Sequence, residues 1–149
     1  MIAFTPTTQA TPSSINFTTP KRLTTVMADV YAQLLKGKVL TGLSAVKTAS
    51  TTRLAAVIHR LKREYRLPIY SMPQSVGCED GRLTTVEAYY LPPWFIDPVM
   101  ATPEGRDFVA GVTLARVRKR AHSDKAKREA ARRNLQRPNP CQRQLWGDV

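Results

Sequence analysis

Arg53 and Arg60 stand seven residues apart with the small Ala56 between them. On a helix that spacing is close to two turns and puts both guanidinium groups on one face. A guanidinium is a planar fork of donors, able to take guanine O6 and N7, or one phosphate, with two parallel hydrogen bonds. An alanine between two such forks allows close approach to a base edge or a thymine methyl. Thr51 and Thr52 precede the pair. At a helix start their hydroxyls and the free backbone N–H groups favour a phosphate oxygen, although threonines there also serve as plain helix caps. His59 and Arg63 extend the same outward face, and Lys62 and Arg66 border it within reach of backbone phosphates. Each has a duller use: outward arginines are common on solvated surfaces, and a lone histidine is usually a neutral surface residue.

No other grouping competes as a chemical site. Glu79 and Asp80 lie beside Gly81, where turn chemistry accounts for them. Glu104 and Asp107 fall in the first turn of an expected helix, where acids complement the dipole. Cys78 and Cys141 are far apart without a CxxC pattern, and His59 and His122 are isolated, so no disulfide framework, metal site or cofactor is expected. There is no Ser/His/Asp or Cys/His set and no glycine-rich phosphate loop. The expectation is a protein that is not an enzyme.

Charge gives the chemistry a partner. The 149 residues carry a formal net charge of +12, and a soluble chain with that excess needs an anionic partner, most simply nucleic acid. The excess is segmental. Arg116–Arg133 holds nine basic residues, Arg118, Lys119 and Arg120 among them, against two acids, whereas Val76–Leu91 holds three acids and one arginine, Arg82. The basic segment has no continuous apolar stripe, so it reads as a helix lying along phosphates through counterion release, with RNA as the alternative. Its alanines are too small for a membrane-surface helix. No apolar run of about 18 residues and no basic-then-apolar leader occur, so the expectation is a cytoplasmic protein, in a bacterial host cell or its nucleoid, with no membrane span.

The elements that must position these residues follow from periodicity. Residues 1–21 are rich in Thr, Pro and Ser and read as a disordered or loosely docked arm. Val26, Val30 and Leu34 set a first helix over Thr25–Lys36, closed by Gly37. Val39-Leu40 is an extended connector. Thr41 caps a short second helix with Leu43, Val46 and Ala49 inward, ending near Ser50. Leu54, Val57, Ile58, Leu61 and Tyr65 form the stripe of a third helix, Arg53–Tyr65. Strands follow at Ile69–Met72 and Thr84–Leu91, joined through Pro73–Arg82. Beyond Pro92-Pro93 come a Pro-interrupted apolar segment from Trp94, a helix from Glu104 to Arg120 and a basic helix from Ser123 to Asn134. Cys141–Val149 is a tail anchored by Trp146.

Helix, short helix, longer helix and hairpin in that order is the winged helix-turn-helix arrangement, in which the third helix enters a major groove and the hairpin touches the flanking backbone. The stretch Leu34–Ile69 resembles a family of small phage and prophage helix-turn-helix domains. The resemblance rests on Thr41 and Ala45 in the second helix, on Arg53, Leu54, Ala55, Ile58 and Leu61 in the third, and on Ile69 entering the wing. That family usually has a glycine before the strand, where this chain reads Tyr65-Arg66-Leu67-Pro68. The resemblance implies DNA binding in a phage or prophage setting. The whole reading is an α+β chain. It comprises a winged helix-turn-helix at 22–91 (three helices plus a β-hairpin wing), a C-terminal extension of basic helices at 92–137 and a tail at 138–149. Its expected partner is double-stranded DNA, with a homodimer through residues 94–117. The competing use of the scaffold is as a protein-interaction module, through PPWFIDPVM and Trp146.

Overall fold

A computed structural model describes residues 15–137. Its centre is α1, Val26–Leu35. Thr25 caps it by accepting the Ala28 N–H on its hydroxyl at 3.1 Å, and Asp29 stands in the first turn, where the dipole favours an acid. Ala28 and every residue from Val30 to Leu35 are buried. A helix covered on all sides must be packed on all sides, and α1 is the element the others surround. It ends in a Schellman motif: Gly37 donates to the Leu34 carbonyl, Lys38 donates to that of Gln33, and Gly37 takes φ +76°.

The expected connector at Val39-Leu40 is in part a strand. β1, Leu40–Thr41, pairs antiparallel with β3, Leu40 opposite Tyr89. The next helix, α2 (Gly42–Ala49), opens on a reciprocal capping box between Thr41 and Ser44. Its inward stripe differs from the expected one. Ala45 and Ala49 are buried, whereas Leu43 is 65% and Val46 47% exposed. Residues 43 and 45 lie about 200° apart around a helix, so they cannot both face inward. The methyl side chains win because they let the short helix lie close to its neighbours. α3, Leu54–Tyr65, buries Leu54, Ile58 and Leu61.

β2, Tyr70–Gly77, and β3, Leu83–Tyr90, complete a three-stranded antiparallel sheet of order β1-β3-β2. The expected first strand stopped before Pro73, but β2 runs through it. The reason lies in ladder parity. Cys78 N–H donates to the Arg82 carbonyl at 2.8 Å, so that pair is hydrogen-bonded, and such pairs alternate along an antiparallel ladder. Counting back places Pro73 at a position whose backbone groups face away from β3. Its missing N–H therefore costs the ladder nothing and blunts the free edge against another strand.

Three further helices follow: α4 (Pro93–Ala101), α5 (Pro103–Ala121) and α6 (Ser123–Leu135). The core continues into the first two. Leu91, Phe95, Val99, Phe108, Val109 and Val112 join the cluster built on α1 and α3, and the Tyr31 ring of α1 packs at a tilt against Phe108, 5.2 Å between ring centres, and Tyr65, 6.2 Å. Gly105 is needed where α5 meets α4, since a Cβ there would stand 2.2 Å from the Val99 carbonyl oxygen. Ile15 and Phe17 lie half-buried on the same core, so the described end of the N-terminal arm is docked. Residues 1–14, and the expected tail with Cys141 and Trp146, lie outside the described residues. The chain divides into a unit running through Thr113 and a second beginning at Leu114. No described helix is long and apolar enough to cross a membrane.

Candidate nucleic-acid interface

The burial of Leu54, Ile58 and Leu61, with Val57 and Tyr65 half-buried, fixes the rotation of α3. What remains faces solvent. Thr52, Arg53, Ala56, His59, Arg60, Lys62, Arg63 and Arg66 are all exposed, and Thr51 is half-buried. All of the predicted residues on this segment except Thr51 are thus open to solvent, five of them cations.

Both ends of α3 differ in detail from expectation. Neither threonine caps it. The N-cap is Arg53, without a side-chain cap, and the Thr51 hydroxyl accepts the Arg53 N–H at 3.1 Å. Thr51 therefore shapes the approach to the helix, and the first-turn amides of Leu54, Ala55 and Ala56 are left without a capping side chain. At the far end Arg66 closes the helix and adopts the left-handed conformation that glycine usually takes, φ +49°.

An acid sits among the cations. Glu64 Oε1 accepts the Arg60 Nε–H at 3.1 Å and lies 3.9 Å from Arg63 Nη2; the arginine side chains stay 57% and 69% exposed. The β2-β3 hairpin repeats the pattern. At the hairpin turn, Asp80 accepts the Arg82 backbone N–H on Oδ1 at 3.2 Å and its Nε–H on Oδ2 at 2.6 Å. The i, i+4 spacing of Arg60 and Glu64 was legible in the sequence, and its consequence for the arginine was missed.

The second unit holds the other predicted cations. Arg118, Lys119 and Arg120 are exposed in the last turn of α5. α6 buries no residue at all. There Glu129 receives Arg132 through both carboxylate oxygens, at 2.8 and 3.1 Å, and Arg133 at 2.9 Å. Those hydrogen bonds, Arg132's first, hold the Glu129 carboxyl below the usual carboxylate range.

One feature of the first unit was not foreseen. The outward Leu43 and Val46 of α2, Ala55 of α3 and Val86 and Tyr89 of β3 line an open groove of about 520 Å³. Of the residues expected to make a contact surface after the hairpin, Pro93, Trp94 and Asp97 are exposed and Ile96 and Met100 half-buried. Phe95 and Val99 are buried, and of that stretch Trp94 is the large side chain left open, 58% exposed. Among the described residues no group of three or more His, Cys, Asp or Glu could hold a metal. No protein-family description, curated protein or solved structure matches the chain.

Proposed function

We propose that the chain is a sequence-preferring, non-catalytic DNA-binding protein of phage or prophage type, acting as a regulator or an accessory of DNA metabolism, in which residues 22–91 form a winged helix-turn-helix. The element order α1-β1-α2-α3-β2-β3 and the sheet order β1-β3-β2 support that scaffold. The observation that carries the function is the split of α3 into a buried apolar stripe and an outer face of Arg53, Ala56, Arg60, Lys62 and Arg63. In this reading Arg53 and Arg60 read base edges in a major groove, while Lys62, Arg66 and the wing's Arg82 take phosphates. Arg118–Arg120 add a sequence-independent phosphate term.

The test is a binding series with random and genomic duplexes over several salt concentrations, followed by selection of preferred sites. Selective binding that weakens steeply with salt is expected; absence of binding at low salt overturns the proposal. The groove beside Leu43 and Val46 favours a second reading, a winged-helix module for a protein partner. Association through that groove would survive high salt and be lost on replacing Leu43 by a charged residue.

A further inference from the structure

The acid among the cations of α3 has no evident reason to be there. It stands in the last turn of the helix, where the dipole disfavours a carboxylate. It follows Arg60 by four residues, the less favourable order for a helical ion pair. It is an exposed residue outside the hydrophobic core cluster, and it lowers the positive field of the face that would meet a polyanion. Helix stability and non-specific DNA affinity both argue against a carboxylate at this place.

What Glu64 does is hold a fork. A guanidinium offers its donors on two edges, one containing Nε and one formed by the two terminal nitrogens. Glu64 takes the Nε–H of Arg60, which leaves the terminal pair of this 57% exposed side chain available to a ligand. That end-on pair matches the two acceptors of guanine. A fork fixed in place before binding loses less side-chain freedom on contact and rejects a base whose acceptors do not line up. Asp80 takes Arg82 by the same nitrogen on the hairpin, as Glu129 takes Arg132 and Arg133 on α6. We propose that Glu64 is a specificity-determining positioning residue, which orients Arg60 for end-on contact with a base.

This inference rests on the DNA-binding reading above, and its test separates the two. Preferred sites are first selected with the wild-type chain. Affinities for a selected and a scrambled duplex are then measured for wild type, Glu64→Ala, Glu64→Gln, Arg60→Ala and the Arg60→Ala/Glu64→Ala double variant. If Glu64 positions Arg60, Glu64→Ala binds scrambled DNA more tightly, because a negative charge is gone, yet its preference for the selected site falls about tenfold. Glu64→Gln keeps an acceptor and recovers part of the preference. In the Arg60→Ala background, removing Glu64 leaves the preference unchanged. If Glu64→Ala tightens both duplexes equally, Glu64 is only a repelling charge and the inference is overturned while the DNA-binding reading stands. Wild-type protein that selects no site overturns both. Circular dichroism of each variant checks that α3 is intact.

Discussion

Replacing Arg118, Lys119 and Arg120 together by alanine removes three exposed cations from the end of α5. Each cation seated on a duplex phosphate releases condensed counterions and adds about 0.9 to the slope of log affinity against log salt. Three contacts therefore predict a slope shallower by about 2.7 in the variant. Lys119 already has an interaction within the fold; if it keeps that one, two contacts remain and the change is about 1.8. Over a fourfold rise in salt, the wild type's advantage should then shrink by roughly 12- to 40-fold. Fluorescence anisotropy on a selected and a scrambled duplex measures both slopes. The loss should be the same on the two duplexes, because phosphates carry no sequence. Arg53→Ala with Arg60→Ala should do the reverse, losing about 1–3 kcal/mol of discrimination per base contact. If both sets of substitutions reduced discrimination equally, or the triple variant kept the wild-type slope, the division between reading helix and basic extension would be wrong.

Four other substitutions probe the scaffold. The Tyr31 hydroxyl is buried without a hydrogen-bond partner among the described residues, and burial, then the nearby Tyr65, push its ionisation well above the ordinary tyrosine range. Tyr31→Phe should raise stability at neutral pH by about 1 kcal/mol in urea unfolding. The stability given by a neutral buried phenol is complete below a pH of about 10 and is lost as pH climbs toward the raised folded value. The wild-type Tm should therefore fall more steeply than that of Tyr31→Phe above that point, and parallel curves would count against the burial argument. Ser50 closes α2 at φ +53°. Ser50→Gly should relieve the left-handed strain and, after the entropy of glycine in the unfolded chain, raise stability by about 0.5–1 kcal/mol. Leu61→Ala should cost about 2–5 kcal/mol, while Leu43→Ser should stay within about 0.5 kcal/mol in thermal unfolding. A reversal of that last order would move the buried stripe of α2.

The parts of the fold that were legible from sequence are those where one physical signal had no rival. α1 and α3 carry large apolar residues at helical spacing, α1 with Thr25 and Gly37 to close it as well, and both came within a residue of the expected bounds. The outward face of α3 followed from its stripe. Errors arose where two signals competed. On α2 residue size pointed to Leu43 and Val46, and close packing chose Ala45 beside the expected Ala49. At Pro73 composition said the strand should stop, whereas parity puts the proline on the free edge. The packing of Phe108 on Tyr31 depends on residues 77 positions apart, which no local pattern encodes. Glu64 and Asp80 are plain in the sequence; their significance lies in which nitrogen of an arginine they occupy, and only side-chain geometry gives that.

The same packing bears on how the chain would assemble. Helix-turn-helix proteins commonly dimerise, and residues 94–117 are the surface expected to serve that purpose. Phe95, Val99, Phe108, Val109 and Val112 are spent inside the first unit, leaving Trp94, Leu114 and Val117 as the large exposed apolar side chains of that stretch. An obligate homodimer buries roughly 2,000 Å² or more of mostly apolar surface, and three such side chains supply a small part of that. β2, the free sheet edge, is blunted by Pro73. Recognition of a two-fold site by two copies would then draw its stability from the DNA they share, with half-sites about one helical turn apart. Cooperative occupancy should therefore depend on half-site spacing and fade when the duplex is shortened to a single half-site. A chain that sediments as a dimer without DNA at low micromolar concentration would show that another surface, such as the Leu43–Val46 groove, holds the copies together.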